Sequence, residues 1–275
     1  MTRFVVVPQW QGSPAARAML LIDGAEAIAG DLPRASSTRI DVPLEAGESL
    51  GSPVRRLSSL SRIRDLLAAE LAEHAEQSGG EAAVVIGGDC GVAVPAIAHA
   101  AGRHPGMAVV WFDAHGDLHS PDTSPSGAFA GMALRAVFGD GELSTGGVVS
   151  ADRVLLAGAR EFEDAEAALI VATGLRVLTV AELGEPSALV DAVVATGADA
   201  VYIHIDLDVL DPAVMTGLTS AVPFGLAVAD VTASIAALRE RLPLAGASVC
   251  GFAPATPAAA VDDLGSILRI VGAVA

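Results

Sequence analysis

The chain has 275 residues, enough for one large domain with a substantial core. Hydrophobic residues make up 52% and charged residues 18%, which excludes a disordered chain. The formal net charge is −17 and all 16 basic residues are arginine, so there is no basic stripe for nucleic acid.

No apolar run reaches the roughly 18–20 residues of a spanning helix. The start, Met1-Thr2-Arg3, lacks the layout of a secretory leader. A soluble, cytoplasmic protein without a membrane partner is expected. The two cysteines, Cys90 and Cys250, make no disulfide framework, and Cys250 in Ala247-Ser248-Val249-Cys250 reads as plain strand core.

In chain order, apolar β-rich runs predict strands at 4–7, 83–86, 107–112, 153–157, 176–180, 201–207 and 248–252. Ala/Leu-rich stretches predict helices at 14–29, 54–77, 92–101, 131–138, 162–172, 186–195, 228–238 and 258–271. Ser13 and Pro14 read as the cap and first position of the first helix. Segments 31–53 and 117–129, rich in Pro, Ser, Gly and Asp, read as loops. The strand runs are apolar throughout, as in a parallel sheet covered on both faces. Strand–helix alternation then predicts one α/β domain over 1–275, with a doubly wound, mostly parallel sheet.

Ligands in such a sheet bind beyond the carboxyl ends of the strands. Four predicted strands run directly into polar clusters there. They are Gly87-Gly88-Asp89-Cys90, Asp113-Ala114-His115-Gly116-Asp117, Gly158-Ala159-Arg160-Glu161 and Asp206-Leu207-Asp208. In extended backbone, Asp113, His115 and Asp117 share one face, and so do Asp206 and Asp208. Carboxylates gathered in a dry pocket are costly unless cations or protons neutralise them. Four carboxylates and one imidazole exceed what one catalytic ion uses, so bridging between two ions about 3.5 Å apart is expected. Hard oxygen donors with one imidazole favour Mn²⁺ over Zn²⁺. Asp211, just before Pro212, reads as a turn cap.

From about residue 80 to 255 the sequence resembles the ureohydrolase family, which contains arginases and agmatinases. The family's Gly-Gly-Asp-His, Asp-Ala-His-x-Asp and Asp-x-Asp-x-x-Asp-Pro segments all have counterparts here, in that order. The resemblance implies a three-layer α/β/α arginase-like fold, two Mn²⁺ per chain and a small guanidino substrate. It implies attack of a metal-bridging hydroxide on the guanidino carbon, with Asp117 orienting that hydroxide. It also implies that Cys90 fills the position of a family metal-ligand His, making Cys90, Asp113, His115, Asp117, Asp206 and Asp208 the metal set.

Further roles follow from the same resemblance. Ser126 of Ser126-Gly127 and Glu163 of Arg160-Glu161-Phe162-Glu163 would meet the carboxylate and ammonium ends of the substrate. Ser220 would lie near the guanidino group. His119 would bind substrate or replace a missing acid, a loop histidine being the plainer alternative. Two family groups are absent: a proton-shuttling His is Ala130, and a Glu that holds the guanidinium is Gly251. A branch of the family acting on N-omega-hydroxy-L-arginine in antibiotic biosynthesis is similar in having Cys for that His and in lacking the His acid. Hydrolysis of that compound to ornithine and hydroxyurea is therefore expected. An ordinary ureohydrolase on another guanidino or formimino compound, and a non-catalytic metal-binding relative, are the alternatives. His74, His99 and His104 read as solvated, and His204 as a core or supporting residue. A monomer fits the short C-terminal helix, with a homo-oligomer left open.

Overall fold

The computed structural model describes residues 2–78, 81–146 and 149–275. Its centre is one eight-stranded sheet formed by β1 (Arg3–Val7), β2 (Ser37–Arg39), β3 (Ala83–Gly87), β4 (Ala108–Phe112), β5 (Val154–Ala157), β6 (Arg176–Leu178), β7 (Val201–Asp206) and β8 (Leu244–Cys250). The spatial order is β2-β1-β3-β8-β7-β4-β5-β6, and every pairing is parallel.

Alternate residues of each strand feed opposite faces, which builds two core layers. Val5, Val7, Val85, Val109 and Trp111 pack with α2 (Leu57–Ser78), α3 (Ala93–Arg103) and α4 (Ala133–Val137). Phe4, Val6, Val84, Val110 and Phe112 pack with residues of α1 (Leu20–Gly30), α7 (Pro186–Ala195), α8 (Val228–Arg241) and α9 (Ala260–Val274). Two short helices, α5 (Asp164–Thr173) and α6 (Val180–Leu183), flank β6 in sequence. The result is the three-layer α/β/α architecture that the strand pattern predicts. Among the described residues no helix is long and apolar enough to cross a membrane.

Three local differences have physical causes. First, β2 lies inside the expected loop 31–53. Its Ser-Thr-Arg sequence carries no apolar signal because it is an edge strand, pairing with Phe4–Val6 and held by Arg3 Nη2 donating to Thr38 Oγ1 at 2.6 Å. Second, α1 starts at Leu20 and not at Pro14. Ser13 Oγ accepts from Ala15 N–H at 3.2 Å, a local turn, and Arg56 donates to the carbonyls of Gln11 and Ser13 while lying 4.7 Å over the Trp10 ring. These contacts fix the path of residues 10–13, and residues 15–19 then run in tight turns, with Ala18 N–H donating to Ala15 O and Leu20 N–H to Arg17 O, before α1 begins. Third, His74 is buried and not solvated, because it follows Leu67 and Leu71 on the inward face of α2.

Ile203 on β7 is fully buried, whereas Val171 on α5 is 84% exposed. Ile203→Ala should lower unfolding free energy by about 2–5 kcal/mol in urea titration, while Val171→Ala should stay within about 0.5 kcal/mol of wild type.

Candidate metal centre

The central strands β3, β8, β7, β4 and β5 end side by side, and their carboxyl ends deliver the polar clusters to one place. Asp113 follows β4. Its Oδ1 accepts from His115 N–H at 2.7 Å and faces His115 Nδ1 at 3.2 Å, while its Oδ2 accepts from the Trp111 indole at 3.1 Å. Asp206 closes β7. Its Oδ1 accepts from Asp208 N–H at 2.9 Å, and its Oδ2 accepts from the Cys90 thiol at 2.8 Å. Asp208 Oδ1 accepts from Ala114 N–H at 3.1 Å, and its Oδ2 stands 3.1 Å from His115 Nδ1.

Two sets of donor atoms lie within 4.8 Å of one another: Cys90–Asp113–Asp117 and Asp113–His115–Asp208. Asp113 belongs to both, which is the arrangement a bridging carboxylate requires. Asp206, hydrogen-bonded to both Cys90 and the Asp208 backbone, stands between them.

Electrostatics says what these residues are built to hold. Burial, and then their mutual repulsion, raises Asp113 and pushes Asp117 well above the carboxylate range; it raises Asp206 to about 7 and Asp208 to about 6. Burial pulls His115 down, but its hydrogen bonds to Asp113 and Asp208 outweigh that and raise it to about 12. Asp117 Oδ2 is buried with no hydrogen-bond partner among the described residues, and Asp117 sits at φ +53, a left-handed conformation unusual for a side-chain-bearing residue. An orphaned carboxylate oxygen aimed into a ring of buried acids fits divalent cations, and the mostly oxygen donor set suits manganese.

A cavity of ≈ 430 Å³ opens above these groups. Its lining includes Cys90, Asp113, His115, Asp117, Asp206 and Asp208, and also His119, Ser126, Glu163 and Ser220. The six candidate metal ligands and the four candidate substrate contacts therefore line one cavity. Ser220 Oγ is 3.3 Å from His115 Nε2. The buried His119 ring has Nδ1 3.2 Å from Thr123 Oγ1 and Nε2 3.5 Å from Glu163 Oε2. It lies beside Ala130-Gly131: a Cβ added at Gly131 would be 3.9 Å from its Cδ2. Glu163 is the residue before α5, and its side chain is 58% exposed at the cavity rim. Ser126 Oγ accepts from Ala128 N–H at 3.1 Å. Asp211 caps its turn as the sequence predicts, accepting from Ala213 and Gly225 N–H.

Three residues that the sequence reading left without a role in the site, Asp89 and Arg160 of the strand-end clusters and Cys250 of β8, contribute to it. Asp89 accepts from Gln9 Nε2 at 2.7 Å, Gly12 N–H at 2.9 Å and Gly91 N–H at 3.0 Å, binding the β1 loop to the β3 loop. Arg160 donates to the carbonyls of Gly158, Asp208, Val209, Leu210, Val222 and Pro223, clamping the chain just after the β7 aspartates. Such a role depends on chain segments about 50–60 residues away and leaves no local pattern. Cys250, read as plain core, is buried but has its Sγ 3.0 Å from Cys90 Sγ.

Arg160→Lys replaces a five-donor fork by a point charge and strands several carbonyls. It should lower Tm by several degrees and speed the loss of added divalent metal on dialysis, read by calorimetry and metal analysis. An unchanged off-rate would mean that the clamp does not support the aspartates.

Comparison with known proteins agrees with this geometry. A sequence profile of the arginase family matches residues 28–263. The chain is 32% identical over 241 residues to an N(omega)-hydroxy-L-arginine amidinohydrolase of Streptomyces lavendulae, covering 84% of this chain and 83% of that one. It is 30% identical over 201 residues to an arginase of Bacillus caldovelox, covering 68% and 67%. In fold it is similar to the Entamoeba histolytica arginase crystallised with L-ornithine, with a TM-score of 0.86 at 19% identity over 99% of this chain and 97% of that one. The matched span, these identities and the parallel eight-stranded sheet establish that the chain belongs to the arginase family, whose members are amidinohydrolases.

Proposed function

We propose that the protein hydrolyses N-omega-hydroxy-L-arginine to L-ornithine and hydroxyurea with two Mn²⁺ ions in the carboxylate cluster. One observation carries the substrate. The cavity keeps the whole donor set, yet the wall at Gly251 offers no carboxylate for a cationic guanidinium. That lack is built into the backbone. Gly251 has φ +87, and a Cβ there would collide with Asp206 Oδ1.

Arginine's guanidinium is always protonated. Binding it beside this cluster without a counter-charge is unfavourable. An N-hydroxyguanidine is far less basic, because the hydroxyl withdraws electrons. It enters neutral and presents a more electrophilic carbon. The similarity to the S. lavendulae amidinohydrolase supports the same substrate.

Cys90, Asp113, Asp117 and Asp206 would hold one ion, and Asp113, His115, Asp206 and Asp208 the other. Ions held there supply an activated water at neutral pH. The chain's own groups then divide the work. Asp117 Oδ2, which has no other partner, accepts a hydrogen bond from the attacking water and fixes its direction. His119, beside the place of the absent acid at Ala130, gives a proton to the departing ornithine nitrogen and is reprotonated through the Glu163 side. Ser126 and Glu163, farther out, hold the α-carboxylate and α-ammonium. In balance, water adds to the guanidino carbon, the bond from that carbon to Nδ breaks, and hydroxyurea and the ornithine amine leave.

Mn²⁺-loaded protein should release ornithine from N-hydroxyarginine with kcat/KM at least about 10²-fold above that for arginine, a gap of about 2.7 kcal/mol. Equal or faster turnover of arginine would sink the substrate assignment. His119→Asn should lower kcat by about 10²-fold or more while leaving metal content intact. Gly251→Glu should not restore arginine turnover, since its Cβ cannot be placed without moving Asp206.

A further inference from the structure

Cys250 and His204 are left without a part in the reaction above, yet both are buried against it. His204 is fully buried on β7 and stacks on Trp111 with ring centroids 3.7 Å apart. Its Nδ1 lies 2.8 Å from Ser248 Oγ, which orients the ring. Its Nε2 points at Cys250 Sγ, 3.8 Å away, too far for a strong hydrogen bond. Cys250 Sγ in turn lies 3.0 Å from Cys90 Sγ, and Asp206 Oδ2 is 2.8 Å from Cys90 Sγ and 3.5 Å from Cys250 Sγ. Two sulfurs, an imidazole nitrogen and a carboxylate oxygen therefore converge at the buried floor of the cavity.

We propose that Cys90, Cys250, His204 and Asp206 form a thiolate-rich site, overlapping the carboxylate cluster, for a soft or borderline divalent cation such as Zn²⁺. The donor chemistry differs from the neighbouring cluster, where oxygen predominates. Two sulfurs and one imidazole suit zinc, as carboxylates suit manganese. The Cys90, Cys250 and His204 donor atoms all lie within 4.8 Å of one another. A tetrahedral zinc, with bonds to sulfur of about 2.3 Å, would part the two sulfurs to about 3.8 Å and hold sulfur and imidazole about 3.6 Å apart. Parting the sulfurs from 3.0 Å to that separation moves them by less than an ångström. The Ser248 contact at Nδ1 is the supporting bond that metal-binding histidines make with their other nitrogen. A disulfide would join the sulfurs but give the aimed imidazole and carboxylate nothing to do.

The site shares Cys90 and Asp206 with the first manganese position. A soft cation in it withdraws both ligands from that position, so zinc acts as a competitor and not as a substitute. This rests on the metal-cluster reading but not on the substrate.

The test is Co²⁺ titration of chelator-stripped full-length protein, wild type and Cys250→Val, under reducing conditions, with His204→Asn as a second variant. Circular dichroism checks that each variant folds. In wild type, intense thiolate-to-cobalt charge-transfer absorption and the visible bands of tetrahedral cobalt are expected. In Cys250→Val the charge-transfer intensity should fall to about half, as one thiolate remains, and the tetrahedral bands should fade. His204→Asn should shift those visible bands. Identical spectra for wild type and Cys250→Val would overturn the proposal, as would a Cys90–Cys250 disulfide found by mass spectrometry after isolation under argon. Cobalt bound with no thiolate band would overturn it while leaving the carboxylate cluster standing. No cobalt binding at all would remove the cluster reading as well.

Discussion

Four carboxylates are buried together at the edge of a parallel sheet, and much of the molecule is arranged around holding them there. Asp113, Asp117, Asp206 and Asp208 are each no more than 6% exposed. Isolated buried charges of this kind are among the most unfavourable features a fold can contain. The chain offsets part of the cost with Ala114, His115 and Asp208 N–H groups, the Trp111 indole and the Cys90 thiol. Asp117 Oδ2 receives nothing. Such a set is suited to divalent cations, which would neutralise the remaining charge.

The surrounding structure reads as support for that arrangement. β3, β8, β7, β4 and β5 set the spacing, since adjacent parallel strands put their last residues within a few ångströms of one another. Asp89 ties the β1 loop to the β3 loop, and Arg160 clamps the segment after Asp208. Gly251 is shaped by the same constraint. Because Asp206 fills the space beside it, a side chain at this position would collide with the Asp206 carboxylate.

What could be read from sequence depended on whether the signal was local. Asp113, His115 and Asp117, and Asp206 and Asp208, lie at alternate positions after apolar strands, so their convergence was legible before any coordinates. The strands with apolar cores were legible as continuous apolar runs, although β8 begins at Leu244, four residues before the expected 248. The edge strand β2 was not, because Ser37, Thr38 and Arg39 carry no hydrophobic pattern. The start of α1 was misplaced because Ser13 and Pro14 have the chemistry of a cap while Arg56, far along the chain, holds the preceding carbonyls in another path. Cys250 looked like core because it is core; only the pairing of Asp206 with Cys250 across β7 and β8 brings it to the site. His74 was misjudged as solvated because a single polar residue in a helix says little until its neighbours at Leu67 and Leu71 are known to face inward.

The central claim is that one shared carboxylate set holds two divalent ions. Metal analysis of Mn²⁺-loaded protein after exhaustive dialysis, for wild type, His115→Ala and Asp113→Ala, tests it most directly. About two ions per chain are expected in wild type, about one in His115→Ala, and almost none in Asp113→Ala, because Asp113 belongs to both donor sets. A wild-type protein that keeps no ion, or an Asp113→Ala variant that keeps as much as wild type, would contradict the claim.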